Sequence, residues 1–189
     1  MSHLEIAGVI TSFLGIWLTA RRSMLCWPIN LIACALYFKL FLDVRLYADM
    51  ALQALFCAGI VYGWITWAHG KADQGAVIVQ PLPRQTAAIT LTAGAAGALA
   101  IGWLTSHYTN AALPWVDATL TSFSLVAQYW AARRHAANWL AWIGIDTAYV
   151  GMFLFKGLYP TAALYAAMIV LAALGYKSWT SAPLLKPSP

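Results

Sequence analysis

Apolar residues run along this chain in seven long blocks, at roughly 4–20, 24–42, 46–68, 85–106, 114–132, 137–155 and 158–178. Each is close to the ~20 residues that a helix needs to cross a hydrocarbon core. Polar or turn-forming breaks separate them: Arg21-Arg22-Ser23, Asp43-Val44-Arg45, His69 to Gln85, Ser106 to Asn110, Arg133-Arg134-His135 and Lys156-Gly157. In lipid every backbone polar group must be bonded within its own segment, and a helix does this. The pattern therefore predicts an all-α membrane protein of seven transmembrane helices. The longest break, with Pro81 and Pro83, reads as a hinge, and the tail from Ser181, with Pro183, Pro187 and Pro189, as disordered.

The blocks repeat. Residues 20–67 recur 112 positions later, over 132–179. At that offset Arg21-Arg22 falls on Arg133-Arg134, Trp27 on Trp139, Tyr37 on Tyr149, Gly63 on Gly175 and Trp67 on Trp179. Upstream, Thr11-Ser12-Phe13 matches Thr121-Ser122-Phe123 after a two-residue slip. The chain thus divides into a first three-helix repeat (1–70), a linker that includes the fourth helix (71–110), a second three-helix repeat (111–180) and a tail (181–189). Three crossings alone would invert the second repeat, and the fourth helix restores its orientation. The expected arrangement is two parallel three-helix repeats joined by a linker helix, 3+1+3, related by a pseudo-two-fold axis along the membrane normal, as in SWEET-type carriers. The linker helix is rich in Ala and Gly from Ala93 to Ala100, so it can pack closely but offers little chemistry. Duplicated halves point to a transporter whose substrate site lies where they meet.

Composition agrees with the block pattern. With 62% hydrophobic and 9% charged residues, and a mean hydropathy of +0.70, the chain is excluded from the ordinary soluble class, which carries about 25% charge. Its net charge of +5 reads as an excess of cytoplasmic Lys and Arg. Arg21, Arg22, Lys71, Arg84, Arg133, Arg134, Lys177 and Lys186 belong to one side, and Lys39, Arg45 and Lys156 to the other. That bias sets the first side in the cytoplasm, with the N-terminus outside and the C-terminus and its tail inside. No basic face with interleaved aromatics suggests nucleic acid. Apolar residues begin at Leu4 with Glu5 beside them, and the Arg pair follows the run, which suits an uncleaved first helix. Cys26, Cys34 and Cys57 form no CxxC pair and read as small packing residues.

The sixth block carries the most informative chemistry. Trp139, Trp142, Asp146, Tyr149 and Phe153 follow at steps of three, four, three and four, so they share one helical face. Aromatics at that spacing alone are ordinary packing, but a mid-helix carboxylate is costly in lipid unless it faces a polar cavity or a partner. Asp146 between Trp142 and Tyr149 resembles half of a pocket for a flat aromatic cation, bound by countercharge and cation–π attraction together. The alternative is a carboxyl group hydrogen-bonded between helices, or protonated, with the Trp pair merely packing. The equivalent face of the second helix carries Trp27, Asn30, Cys34, Tyr37 and Phe41, an amide wall facing an acidic-aromatic one. Gln53, Gln128 and Asn138 could complete the pocket or bond between helices, and Gln53 aligns with Tyr165. Asp49 starts the third helix, and Glu5 and Asp117 start the first helix of each repeat, where an acid complements the helix dipole. No GxxxxGK[ST] loop, GxSxG elbow or metal-ligand spacing is present, so no cofactor, metal or enzymatic activity is expected.

Several pieces match a known family: Leu46-Tyr47-Ala48-Asp49 leading to Leu52-Gln53, Tyr62-Gly63-Trp64 with Trp67, Asn138-Trp139-Leu140-Ala141-Trp142, Lys156-Gly157-Leu158-Tyr159, and Gly175 with Trp179. In these the chain resembles the PnuC family of vitamin transporters, over about residues 4–180, with Asn-Trp-x-x-Trp and an acid four residues later the most specific part. The resemblance implies facilitated diffusion of nicotinamide riboside across a bacterial inner membrane, without ion or ATP coupling, and trapping by a cytoplasmic kinase. It also implies membrane lipid as a partner and leaves a homo-oligomer open. Thiamine, cationic and aromatic, and riboflavin, without a fixed positive charge, are the alternative cargoes. A membrane enzyme or assembly subunit without transport is the reading from another class.

Overall fold

The computed structural model describes residues 3–43, 47–70, 77–109, 113–155, 157 and 159–181. Among them are seven helices: α1 (His3–Ala20), α2 (Cys26–Asp43), α3 (Tyr47–Ala68), α4 (Arg84–Tyr108), α5 (Pro114–Ala132), α6 (Ala137–Phe155) and α7 (Tyr159–Thr180). Every boundary lies within two residues of the apolar block that predicts it. The tail beyond 181, residues 71–76 of the linker, and the side chains of Glu5 and Asp49 lie outside the described residues, while Asp117 stands in the first turn of α5.

The two repeats stop their first helices in the same way. Arg22 and Arg134 take the left-handed backbone, at φ 57° and 65°, that usually calls for glycine. Ser23 N–H reaches back to Leu18 O at 3.0 Å, and His135 N–H to Trp130 O at 2.9 Å. These are six-to-one closures of the Schellman type, and they turn each chain sharply into the next helix. Proline at the start of α5 fits the position where its missing N–H costs nothing.

Helix contacts form a closed ring, α1–α2–α3–α5–α6–α7 and back to α1, and among the described residues α4 touches only α5. A stripe of buried Gly94, Ala98 and Gly102 lets α4 approach α5 closely, and Ser122 Oγ donates to Gly94 O at 2.8 Å. The opposite face of α4 leaves Ile89, Leu99, Trp103 and Leu104 exposed, as a lipid-facing surface requires. By length and hydropathy alone, α4 and residues 161–180 of α7 suffice to cross a bilayer, and α1, α2 and α3 contain shorter apolar helices.

At one end of the ring four tryptophans close on one another. Trp27 stands edge-on to Trp67 at 5.0 Å, Trp139 edge-on to Trp179 at 5.6 Å, and Trp67 meets Trp179 at 5.7 Å across the halves. Trp67 Nε1 donates to Ala131 O at 3.0 Å, and Trp179 Nε1 to Thr19 O at 3.1 Å. Donors and acceptors are each related by the offset of 112, so the halves are stapled twice by one bond. All four rings are buried, which places a dense aromatic layer across the ring.

The long break after α3 is tied into the core. Val77, 1% exposed, is part of the tryptophan-rich core, and Gln80 N–H donates to Arg134 O at 2.9 Å. His135 Nδ1 is 3.2 Å from Gln80 O, which fixes its proton on that nitrogen, and Arg134 Nη1 donates to Gly70 O at 2.8 Å. Residues 77–80 thus strap the linker to the α5–α6 turn. Burial pushes the His135 pKa below the ordinary value despite the Gln80 carbonyl, and Arg133 and Arg134 add to the lowering. Below about pH 6.5 the unfolded chain takes up this proton before the folded one, so stability is lost as pH falls through that range. Melting in detergent is expected to show a drop from about pH 7 to about pH 5 that is smaller in His135→Gln. Equal drops would remove His135 as the cause.

Candidate functional site

A cavity of about 390 Å³ lies on the axis of the ring, lined by all six ring helices and by none of α4. That is the size of a small-molecule site. Its walls repeat at the offset of 112: Ser12 and Ser124, Ile16 and Gln128, Asn30 and Trp142, Cys34 and Asp146, Tyr37 and Tyr149, Gln53 and Tyr165. The scaffold is two-fold, but the chemistry is not. The second half supplies the indoles, the acid and the extra phenol, the first half supplies a thiol, and each half supplies two amides.

Asp146 is 5% exposed, lines the cavity, and makes no hydrogen bond or ion pair with any described residue. An interhelical hydrogen bond from this carboxyl group is therefore absent among the described residues. Trp142 and Tyr149 flank it on α6. Tyr149 packs with Tyr165 at 4.8 Å and with Phe153 at 5.9 Å, so a phenol-rich cluster stands at the end remote from the tryptophans. Asn138 is 1% exposed; its Nδ2 donates to His135 O at 2.7 Å and its buried Oδ1 has no partner among the described residues. No Lys, Arg or His is among the described residues that line the cavity.

On the first-half wall, Asn30 Nδ2 is 3.4 Å from Thr19 Oγ1, and Gly15 leaves the space its side chain occupies. Tyr37 lies over Gly8, where a Cβ would stand 3.2 Å from the ring. Cys34 Sγ is 3.1 Å from Gln53 Oε1. From the second half, Gln128 of α5 reaches the cavity past Gly59, where a Cβ would be 3.3 Å from its Cγ.

The structure brings together all the residues chosen from sequence, Trp139, Trp142, Asp146, Tyr149, Asn138, Gln53, Asn30, Tyr37 and Gln128, with the exception of Trp27. Trp27 packs beneath the cavity against Trp67 and the bare backbone of Gly63, and it does not line the site. Ser12, Ser124 and Thr121 also line it with no local signal in the sequence, and Tyr165 lines it at the position equivalent to Gln53. Extending the offset of 112 upstream would have found the serines, since Ser12 falls on Ser124. The two-residue slip pairs Ser12 instead with Ser122, whose hydroxyl faces α4. Among the described residues no group of three His, Cys, Asp or Glu could hold a metal ion.

Known proteins share both sequence and fold. The chain is 24% identical to the nicotinamide riboside transporter PnuC of Escherichia coli (strain K12), over 95% of this chain and 85% of that one. It is 29% identical to the riboflavin/roseoflavin transporter RibM of Streptomyces davaonensis, over 98% of this chain and 89% of the other. The crystal structure of the vitamin B3 transporter PnuC superposes with a TM-score of 0.74 at 22% identity, covering 94% of this chain and 80% of that one. Residues 2–181 match the family described as nicotinamide mononucleotide transporter. A ring of six helices around a small-molecule cavity suits such a carrier, and the chain belongs to the nicotinamide mononucleotide transporter family, a family of multi-pass membrane transporters.

Proposed function

We propose that this protein carries nicotinamide riboside across a bacterial inner membrane by facilitated diffusion, with its N-terminus outside and its C-terminus in the cytoplasm. One observation carries the reading: a buried carboxylate without a described partner, set between Trp142 and Tyr149 on the wall of the cavity. A permanently cationic pyridinium ring supplies the missing charge and stacks on the indole, and the ribose meets the amide wall. A nucleotide fits less well than a nucleoside. Its phosphate would enter a site that has an acid and no described cation, and burying an uncompensated anion is costly. Phosphorylation by a cytoplasmic kinase would then trap the imported nucleoside and give the uniport its direction.

Transport follows as a rocking of the two three-helix halves about the bound substrate. The contact between Trp67 and Trp179, with its two equivalent indole bonds, closes one end in this structure and must give way for that end to open.

Riboflavin is the second reading, favoured by the 29% identity to a protein named as a riboflavin/roseoflavin transporter. Thiamine shares the charge and the aromatic ring, so it belongs in the same assay. Purified protein is expected to bind nicotinamide riboside saturably, ahead of its mononucleotide, thiamine and riboflavin, and to ignore adenosine. Liposomes holding the protein should take the riboside up faster than empty vesicles; no uptake by folded protein would favour a non-transport role. Trp142→Ala should weaken binding by about 1–3 kcal/mol, the scale of a lost cation–π contact. Unchanged affinity in both Trp139→Ala and Trp142→Ala would remove this cavity as the site.

A further inference from the structure

Cys34 holds, on the first-half wall, the position that Asp146 holds on the second, and it is buried. Its Sγ lies 3.1 Å from both the Oε1 and the backbone O of Gln53 on α3. Cys57, one turn further along α3, places its own Sγ 3.0 Å from Cys34 Sγ. A thiol is a weak donor with one proton and also a weak acceptor. Both protons are used when Cys57 donates to Cys34 and Cys34 donates to the oxygens of Gln53. Gln53 is then held by its Oε1, and among the described residues no group accepts from its Nε2. An amide free to rotate offers a ligand either a carbonyl or an NH2 group. One held through its oxygen offers donors alone.

We propose that Cys57 and Cys34 are positioning residues, a thiol relay that holds Gln53 by its oxygen and presents its amide NH2 to a hydroxyl oxygen on the sugar arm of the substrate. The proposal rests on the reading above only in needing a hydroxylated ligand; nicotinamide riboside carries a ribose and riboflavin a ribityl chain. It also divides the work of the cavity. The α6 wall takes the flat ring, and the wall of α2 and α3 takes the hydroxylated part. Two cysteines on neighbouring apolar helices thereby acquire a task that small packing residues would not perform.

Affinities of the purified full-length protein for nicotinamide riboside, riboflavin and N1-methylnicotinamide test this, the last keeping the charged ring and lacking the sugar. Gln53→Ala and Cys34→Ala are each expected to weaken the riboside about 3- to 10-fold, the scale of one hydrogen bond. Cys34→Ser, which restores a donor, should return within about twofold of wild type. The double variant should bind no more weakly than Gln53→Ala alone, because Cys34 acts through Gln53. Cys57→Ala should lose less than Cys34→Ala, and N1-methylnicotinamide should not distinguish Cys34→Ala from wild type. Losses that add in the double variant, or that extend to N1-methylnicotinamide, overturn the relay in favour of plain packing. Wild-type protein that binds riboflavin and not the riboside sinks the riboside reading, while the same variants measured with riboflavin still decide the relay. Binding of neither overturns both.

Discussion

Asp146→Asn is expected to weaken nicotinamide riboside binding by about 30-fold or more, roughly 2 kcal/mol or above, while riboflavin binding stays within about twofold. The substitution keeps the shape of the side chain and removes its charge. In a buried cavity where apolar and aromatic groups outweigh neutral polar ones, attraction between the carboxylate and a pyridinium is less screened than in water. Riboflavin has no fixed positive charge, so its affinity reports whether the cavity itself has survived. The ligand-free protein supplies a second measurement. A buried carboxylate without a described partner costs stability when the site is empty, so the Asn variant should melt at the same temperature or higher. If Asp146 were instead a structural hydrogen-bond centre, the variant would melt lower and lose both ligands alike. Asp146→Glu, which keeps the charge but lengthens the arm, should recover part of the riboside affinity. An Asn variant that binds the riboside as wild type does would end the countercharge account.

The parts of this protein set by local pattern were legible from the chain, and the parts set by long-range insertion were not. Helix positions follow from apolar blocks of membrane length, because hydrogen bonding in lipid leaves few other solutions. The α6 face was legible because steps of three and four residues place Trp139, Trp142, Asp146 and Tyr149 on one side of a helix. Sequence spacing gives the face of a helix but not the depth at which a neighbour closes over it. Trp27 shares its helical position with Trp139, yet it sits wholly within the tryptophan layer, whereas Trp139 borders both the layer and the cavity. The register of α1 against α5 was misled by matching letters. Thr-Ser-Phe repeats at a slip of two, but the cavity repeats at 112, since facing the axis constrains position more strongly than residue identity. The strap of residues 77–80 had no local signature either. Val77 enters the core through the tertiary contacts of the α5–α6 turn, and no periodicity announces that.

Gly63→Ala and Gly175→Ala should each cost about 1–3 kcal/mol of stability, and only the second should also weaken substrate binding. A Cβ at Gly63 would overlap the six-membered ring of Trp27, and a Cβ at Gly175 would stand 2.6 Å from Trp139 Cε2. Both glycines are required by close approach, at positions related by the offset of 112. Each indole also meets, edge-on, a second tryptophan one turn further along the glycine's own helix, Trp67 on α3 or Trp179 on α7, and protein interiors repack poorly around such fixed rings. The ring must therefore shift, and the two halves differ in where it can go. Movement of Trp27 is confined to the aromatic layer, so Gly63→Ala should lower the melting temperature and leave the riboside affinity within about twofold once the protein is folded. Trp139 borders the cavity, so its displacement narrows the space beside Trp142 and Asn138. Gly175→Ala should accordingly lose affinity as well as stability. Melting curves and binding isotherms on the two variants separate these effects. Equal loss of affinity in both would mean that the tryptophan layer couples the halves as one rigid unit, and that the cavity does not distinguish the ring at its border from the ring beneath it.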